Sequence, residues 1–531
     1  MLYLSKSKYC LAHQCFKMLW LKTNKPEVFD NSMINQAVMD AGNEVGDIAM
    51  SLFGEYVEVP YGEPATMVQK TADLIDNGCP IIAEGSFSFD GKFCSVDILK
   101  NLGNQEVEIY EVKSSSEVKD IYIIDAAYQN YVLTKLGFKV KKVCIVHINK
   151  DYIRFGELDL QQLFKIEDVS EPVKDKLTEI ENNIEKLTTY MQQTDEPVDD
   201  IGLHCSEPYD CGYWKYCTRH LPKPNVFDIA GRLSKKKKFE FYKQKKSSFE
   251  ELKNCDFSSA VKLQIEHEVF DLPPHIEKDK IQEFLAKLSY PLYFLDFESF
   301  QPAIPLYDNS KPREQIVFQY SLHCIESVGG ELKHTEFLAE PGSDPRRKVA
   351  EQLCKDIPKD VCVIAYNDTF EKSRIARLAE LYPDLKEHLM AIHSNFKDLM
   401  LPFRNKHYYC RAMQGSYSIK QVLPALFPAD PELDYHNLKG VHNGGEASVA
   451  FENMATLSAT EQEKVRKQLL EYCKLDTLAM VKILQKLSSI CNMSTLENHC
   501  TPLKDVKEIA DYPTAYLLDF SDDEEIRKGK K

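Results

Sequence analysis

A chain of 531 residues exceeds what one ordinary core supports, so two to four domains are expected. Hydrophobic residues at 43% and charged residues at 28% give a globular balance, and no apolar run of 18 or more residues offers a membrane span. The net charge of -16 is a weak argument against nucleic acid as a partner, although local patches matter more than the total for phosphate binding.

The N-terminus, MLYLSKSKYCLAHQCFKMLW, lacks the uninterrupted apolar stretch and small-residue cleavage site of a signal peptide. A cytoplasmic location is therefore expected, and the 16 cysteines are read as buried thiols with a subset of metal ligands rather than disulfides.

Residues 1–221 read as a first unit. NQAVMDAGNEVGDIAMSLFG spaces its apolar residues by three and four, as a helix does. PIIAEGSFSF, KFCSVDILK and VEIYEVKSS read as strands, DAAYQNYVLTKLG as a helix ending at Gly137, and KVCIVHIN as a buried strand. Residues 170–195 form a charged helix, and a cysteine segment closes the unit. Residues 222–288 read as a linking, partly helical region with the basic run SKKKKFEFYKQKK, taken as a solvated face. A second unit covers 289–490. Its strands are PLYFLDFESF, REQIVFQYSLHC, LKHTEFLAE and VCVIAYN, with helices at 345–356, 370–381 and 461–488. Strands first and helices after give a mixed sheet flanked by helices, so the fold class is α/β. Residues 491–531 form a C-terminal extension with a tail expected to be disordered.

Each unit carries a set of carboxylates. In the first, Asp97 interrupts the apolar run Val-Asp-Ile-Leu, and Glu111 and Lys113 lie two apart on the next strand, hence on one face. Carboxylates so placed hold Mg²⁺ while the lysine reaches a water or phosphate oxygen, as phosphodiester hydrolysis requires. Gln129 on the following helix stands near the site or the nucleic-acid backbone, and Glu44 adds a third carboxylate. The segments LSKSKY, Cys15-Phe-Lys-Met-Leu-Trp-Leu, GNEVG, Asp97, EVK and AAYQNYVL resemble the RecB-like branch of the PD-(D/E)XK nucleases, restriction-endonuclease-like in fold. They are most similar to iron–sulfur members such as the AddB nuclease domain and the CRISPR-associated RecB-like exonucleases. The resemblance implies that Asp97, Glu111 and Lys113 are catalytic, that Glu44 is a metal ligand and that Gln129 belongs to the helical motif.

Cys205, Cys211 and Cys217 follow a C-x5-C-x5-C spacing without the C-x2-C knuckle of most zinc sites. Three thiolates need a fourth. The resemblance supplies a distant N-terminal cysteine, Cys15 with Cys10 as rival, and implies a 4Fe-4S cluster, with zinc as the alternative. The usual spacing in that family, C-x2-C-x5-C, would place a cysteine at Pro208, where this chain departs from it.

In the second unit, Asp296 and Glu298 share one face of a buried strand, where two charges are costly unless paired or metal-bound. Asn367 and Glu371 follow at a strand-to-helix junction, and Tyr472 and Asp476 lie at i and i+4 on a helix. Four carboxylates suffice for two Mg²⁺ or Mn²⁺ ions, and Tyr472 is placed to orient or deprotonate the attacking water. This half resembles the DEDD 3′–5′ exonucleases of the RNase H-like superfamily, in the tyrosine variant. Glu371 stands where most members have Asp, and Asp398 is the alternative fourth ligand. The two-part order resembles a bacterial family named for domain of unknown function 2779. The expectation is a Mg²⁺- or Mn²⁺-dependent nuclease, exonucleolytic, acting on DNA in preference to RNA, with no membrane partner. The alternatives are an RNA 3′–5′ exonuclease whose first part is a binding module, and a non-catalytic nucleic-acid-binding scaffold.

Overall fold

The structure, a computed structural model, describes residues 3–428 and 430–491. The expected C-terminal tail lies outside the described residues. The chain is a mixed α/β protein that divides between Leu221 and Pro222, and residues 302–314 return to the first unit. Among the described residues no helix is long and apolar enough to cross a membrane.

The first unit begins with β1 (Leu4–Ser5), α1 (Lys6–Gln14), α2 (Phe16–Asn24), α3 (Gln36–Met50), β2 (Val57–Glu58) and α4 (Pro64–Asp76). It continues through β3 (Ile81–Phe89), β4 (Lys92–Gly103), β5 (Glu106–Lys113), α5 (Asp120–Lys135), β6 (Lys139–Ile148), β7 (Phe164–Asp168) and α6 (Ser170–Tyr190). The sheet order is β2-β3-β4-β5-β6-β7, with β1 paired to β4. Strands β3, β4 and β5 form an antiparallel meander. Its two tight turns place Asp90-Gly91 and Asn104-Gln105 at positive φ, the backbone that two-residue hairpin loops require. Helix α5 then crosses over, so β6 runs parallel to β5.

The sheet separates two apolar layers. Val96, Leu99, Val107 and Ile109 pack with Ala126, Ala127 and Leu133 of α5. On a second cluster, Ile98, Tyr110 and Val146 pack with Val45 and Ala49 of α3 and with Ala303 and Ile304 of the returning segment. Helix α5 is buried on nearly every side, which is why its sequence lacks a polar stripe.

The second unit opens with residues 222–288, expected as a partly helical linking region. They carry α7 (Lys235–Lys243), α8 (Ser259–Phe270) and α9 (Lys278–Leu285), and their own apolar cluster includes Val226, Phe241, Leu252 and Ile265. The strands are β8 (Leu292–Phe300), β9 (Ile316–Ile325), β10 (Leu332–Leu338), β11 (Cys362–Ala365) and β12 (Phe396–Asp398). Helices α10 (Arg346–Asp356), α11 (Thr369–Leu381), α12 (Lys386–Ser394), α13 (Ile419–Leu426), α14 (Gly444–Met454) and α15 (Ala459–Ile490) complete it. The sheet order is β10-β9-β8-β11-β12; β8, β9 and β10 are antiparallel, while β11 and β12 add in parallel. Leu353, Ile375 and Leu389 of α10, α11 and α12 pack with Leu295 and Phe297 of β8. Helix α15 lies against β8 and β9, and starts at a reciprocal cap between Ser458 and Glu461.

The N-terminal strand is held from below by α5. The Tyr128 hydroxyl donates to the Leu4 carbonyl at 2.5 Å, and the Tyr9 and Tyr128 rings stack 4.7 Å apart. Replacing Tyr128 with Phe removes that donor and leaves the packing. Thermal unfolding of Tyr128→Phe should show a loss of about 1 kcal/mol with the fold retained. An unchanged melting temperature would mean that this bond does not hold β1.

Candidate functional site

In the first unit the meander brings the acids together. Ile98 pairs with Tyr110, so Asp97 lies one step further, opposite Glu111. There the Val112 amide bonds Asp97 Oδ2 at 2.7 Å. Lys113 Nζ reaches Glu111 Oε1 at 2.7 Å and Asp125 Oδ2 of α5 at 2.6 Å. Gln129 is fully buried, so it faces the site rather than a nucleic-acid backbone. It donates to Glu111 Oε2 at 2.7 Å and to Asp125 Oδ1 at 3.3 Å.

Three further residues join them that sequence reasoning did not assign. Lys6, the first residue of α1, places Nζ 2.9 and 3.1 Å from the two Glu111 oxygens and 3.5 Å from Asp97 Oδ1. Asp125 completes the Lys113 bridge. Glu84 lies between Ala83 and Gly85, which pair with Ile98 and Val96, and is therefore opposite Asp97. Its φ of 54° is rare for a side chain other than glycine and marks strain at this point of the strand. The signal for Glu84 was the one that singled out Asp97, an acid inside an apolar strand. Glu44 is not part of this arrangement. It is exposed on α3, whose Val45 and Ala49 pack with Ile98 and Tyr110, and it makes no ion pair or hydrogen bond to Asp97 or Glu111.

Burial raises the Asp97 carboxyl to about 6, and the Glu111 charge adds to the shift. Burial and the neighbouring Asp97 charge raise Glu84 to about 7. Glu111 behaves oppositely. Burial alone would raise it, but Lys113 and Lys6 outweigh burial and hold it below the ordinary carboxylate range. The site thus keeps one firmly ionised carboxylate between two lysines, with protonatable acids around it.

Cys15 sits where α1 breaks into α2, and Cys205, Cys211 and Cys217 follow α6. All four line one cavity with Met18 and Leu21. Burial raises Cys205 to about 11 and Cys211 to about 12, and the neighbouring thiols add to both shifts. Cys10 packs instead against the apolar cluster that includes Ala126, Ala127 and Leu133 of α5. The cavity is tied across the unit by Gln14, which donates to the carbonyls of His204 and Tyr209 at 2.7 Å each. Lys17 and Lys25 both pair with Glu196, at 3.0 and 2.7 Å.

In the second unit Asp296 and Glu298 of β8 and Cys473 of α15 place one ligand atom each within 4.8 Å of one another. The charges of Asp476, Glu298 and Glu371 all act on Asp296, which burial first and these neighbours next push well above the carboxylate range. Glu371 is 3% exposed and its Oε2 has no hydrogen-bond partner. Burial raises its carboxyl as well. Asp476 accepts from the Tyr435 hydroxyl at 2.6 Å and from Tyr472, and burial raises it to about 6. Tyr472 is buried and its phenol lies well above its ordinary value, so it is a hydrogen-bond donor here, suited to orienting and not to taking a proton.

Asp398, the alternative fourth ligand, acts on Glu371 through its charge and has one oxygen engaged by backbone amides. Its Oδ1 accepts from the backbone amides of Asn367 and Met400, both at 2.9 Å, and so shapes the turn in which Asn367 takes φ 71°. Tyr435 and Lys420 were not anticipated. Lys420 Nζ lies 5.5 and 5.6 Å from the Tyr435 and Tyr472 ring centres and opposes the rise at Asp476.

The family described as domain of unknown function 2779 matches residues 293–418, which include Asp296, Glu298, Asn367, Glu371 and Asp398. The chain is similar to the uncharacterized protein MG366 of Mycoplasma genitalium, 23% identical over 72% of this chain and 63% of that protein. Its homolog in Mycoplasma pneumoniae is also 23% identical, over 72% of this chain and 65% of the relative. The uncharacterized protein UU173 of Ureaplasma parvum is 26% identical over 41% of the chain and 34% of that protein. The chain therefore matches somewhat less than two thirds of the length of the two Mycoplasma relatives. No solved structure matches.

The raised carboxyls give a signed pH effect. Asp296, Glu371 and Asp476 bind protons more tightly folded than unfolded, so without a divalent ion their contribution to stability falls as pH rises above the ordinary carboxylate range, for Asp476 through about 6. Mn²⁺ must displace those protons, so its stabilisation grows over the same range. Melting curves across pH, with and without Mn²⁺, should show both trends in the wild type and a weaker form of each in Asp296→Asn. Equal Mn²⁺ stabilisation at acid and neutral pH would count against a carboxylate metal site.

Proposed function

We propose that the chain is a divalent-metal-dependent nuclease with two sites. The first unit is read as a RecB-like PD-(D/E)XK domain and the second as an RNase H-like exonuclease domain, with DNA favoured over RNA. The observation that carries this reading is in the second unit. The charges of Asp476, Glu298 and Glu371 all act on Asp296, Asp296 and Glu298 meet Cys473 within 4.8 Å, and Glu371 Oε2 is left without a partner. Carboxylates are gathered in this way at the cost of mutual repulsion, and a divalent cation removes that cost.

Asp296, Glu298, Glu371 and Asp476 would hold Mg²⁺ or Mn²⁺, which when bound supplies a polarised phosphate and a water of lowered pKa. Tyr435 and Tyr472 fix the Asp476 carboxylate by hydrogen bonds, and Tyr472 is left to orient the incoming water. Asn367 and Lys420, the latter 5.5 Å from the Tyr435 ring centre, would receive nucleic-acid phosphates. In the first unit Asp97 and Glu111 are the ligand pair, with Lys113 beside them and Gln129 and Asp125 fixing their orientation.

Cys15, Cys205, Cys211 and Cys217, which line one cavity, are read as the ligands of a 4Fe-4S cluster, with zinc as the alternative. The cluster's role is structural, closing the N-terminus onto the end of the unit.

One observation favours a second reading, in which only the second site cuts. The first site's Glu111 is already bonded by Lys6 and Lys113, and a unit so filled serves as a binding module.

End-labelled single- and double-stranded DNA and RNA, incubated with Mg²⁺ or Mn²⁺, test these roles. Asp296→Ala should slow cleavage about a hundredfold or more. Lys113→Ala should remove a separate, second activity. If Lys113→Ala leaves cleavage intact while Asp296→Ala abolishes it, the binding-module reading holds. If neither substitution matters, the nuclease reading falls. Protein purified without oxygen should be brown and lose its colour in Cys211→Ser; a colourless protein carrying one zinc would replace the cluster.

A further inference from the structure

Lys6 is the basic residue whose place in the first unit is set by backbone, and its Nζ lies among the carboxylate oxygens. Strand β1 pairs Leu4 with Lys92 and Ser5 with Phe93 on β4, the strand that carries Asp97. The Tyr128 hydroxyl pins the Leu4 carbonyl, and Ser5 caps α1 by accepting from the Lys8 amide at 3.3 Å. These contacts hold the Lys6 backbone at the edge of the site on three sides.

The two lysines have different tasks. Lys113 Nζ bridges Glu111 Oε1 to Asp125 Oδ2, that is, β5 to α5. Lys6 Nζ instead approaches both oxygens of Glu111 and Oδ1 of Asp97. An ammonium has three protons, and three oxygens stand around this one. They belong to the same two carboxylates that the nuclease reading assigns to the metal. A bridging divalent ion and the Lys6 ammonium therefore claim one position.

We propose that Lys6 is a tethered cation that occupies the divalent-metal position of the first site and is displaced when metal binds. The inference rests on the reading of Asp97 and Glu111 as metal ligands. It makes Lys6 a positioning residue with two effects of opposite sign. In the metal-free protein it neutralises Asp97 and Glu111 and keeps them together. Toward Mg²⁺ or Mn²⁺ it is a competitor, because its charge must leave Glu111 before the ion enters. Its flexible four-carbon stem permits that departure without movement of β1.

The test uses the full chain carrying Asp296→Ala, which silences the second site, and reads free Mn²⁺ by electron paramagnetic resonance. Adding Lys6→Met should lower the metal-free melting temperature yet tighten first-site Mn²⁺ binding by about tenfold, since a unit charge a few ångströms away no longer opposes the ion. Lys6→Arg keeps the charge and should bind Mn²⁺ as the parent does. Lys6→Gln serves if the methionine variant fails to fold. A Lys6→Met protein that melts lower but binds Mn²⁺ equally or more weakly overturns the proposal, because a structural or phosphate-binding lysine behaves that way. Glu111→Gln is the control for the underlying reading. If it leaves Mn²⁺ binding unchanged, the first unit has no such metal site; if it abolishes binding while Lys6→Met does not tighten it, only the role of Lys6 fails.

Discussion

Carboxylates buried side by side repel one another, and each unit is built around that repulsion. Removing such charges from water is costly unless a cation or hydrogen bonds compensate. The first unit compensates internally. Lys6 and Lys113 sit on Glu111, Gln129 adds a donor, and Glu111 stays ionised while Asp97 and Glu84 are pushed up. The second unit does so less. Asp476 has two tyrosine hydroxyls, but Asp296 and Glu371 are both driven toward the protonated form and one Glu371 oxygen is unpartnered. The second site is the one whose chemistry calls for an added cation.

That difference gives the N-terminal segment its importance in the first unit. One short stretch, β1 through α2, places Lys6 at the carboxylates and Cys15 at the cysteine cavity. Helix α1 spans the two, and Cys10 on it packs against the core cluster that includes α5. The break between α1 and α2 therefore separates two jobs that lie nine residues apart in sequence. Gln14 and the Glu196 ion pairs fasten the same stretch to the chain's return at 193–217. Loss of the cysteine contacts would loosen the helix that carries Lys6.

Much of the architecture was legible because strand and helix periods are short-range. Glu111 and Lys113 at i and i+2 had to share a face, as did Tyr472 and Asp476 at i and i+4, and the structure places each pair together. The meander and its crossover helix were legible from alternation and from Gly137, which takes φ 95° at the helix end. What was not legible came from distant pairings. Lys6 meets Glu111 across more than a hundred residues through the β1–β4 pairing, a two-residue strand with no pattern of its own. Glu84 depends on its register against Asp97, and Tyr435 on a loop that no periodicity describes. Glu44 lies exposed on α3, which packs against Ile98 and Tyr110, and helical spacing alone does not say which face of the sheet a helix covers. Asp398 gives one oxygen to the Asn367 turn, a backbone contact that no sequence pattern announces.

The central claim is that the acids of the second unit gather to hold a divalent ion. Crystals grown with Mn²⁺ and measured at the manganese absorption edge test it most directly. The account predicts anomalous density among Asp296, Glu298, Glu371 and Asp476, with Asp398 still bonded to its two amides. Crystals without that density would contradict it.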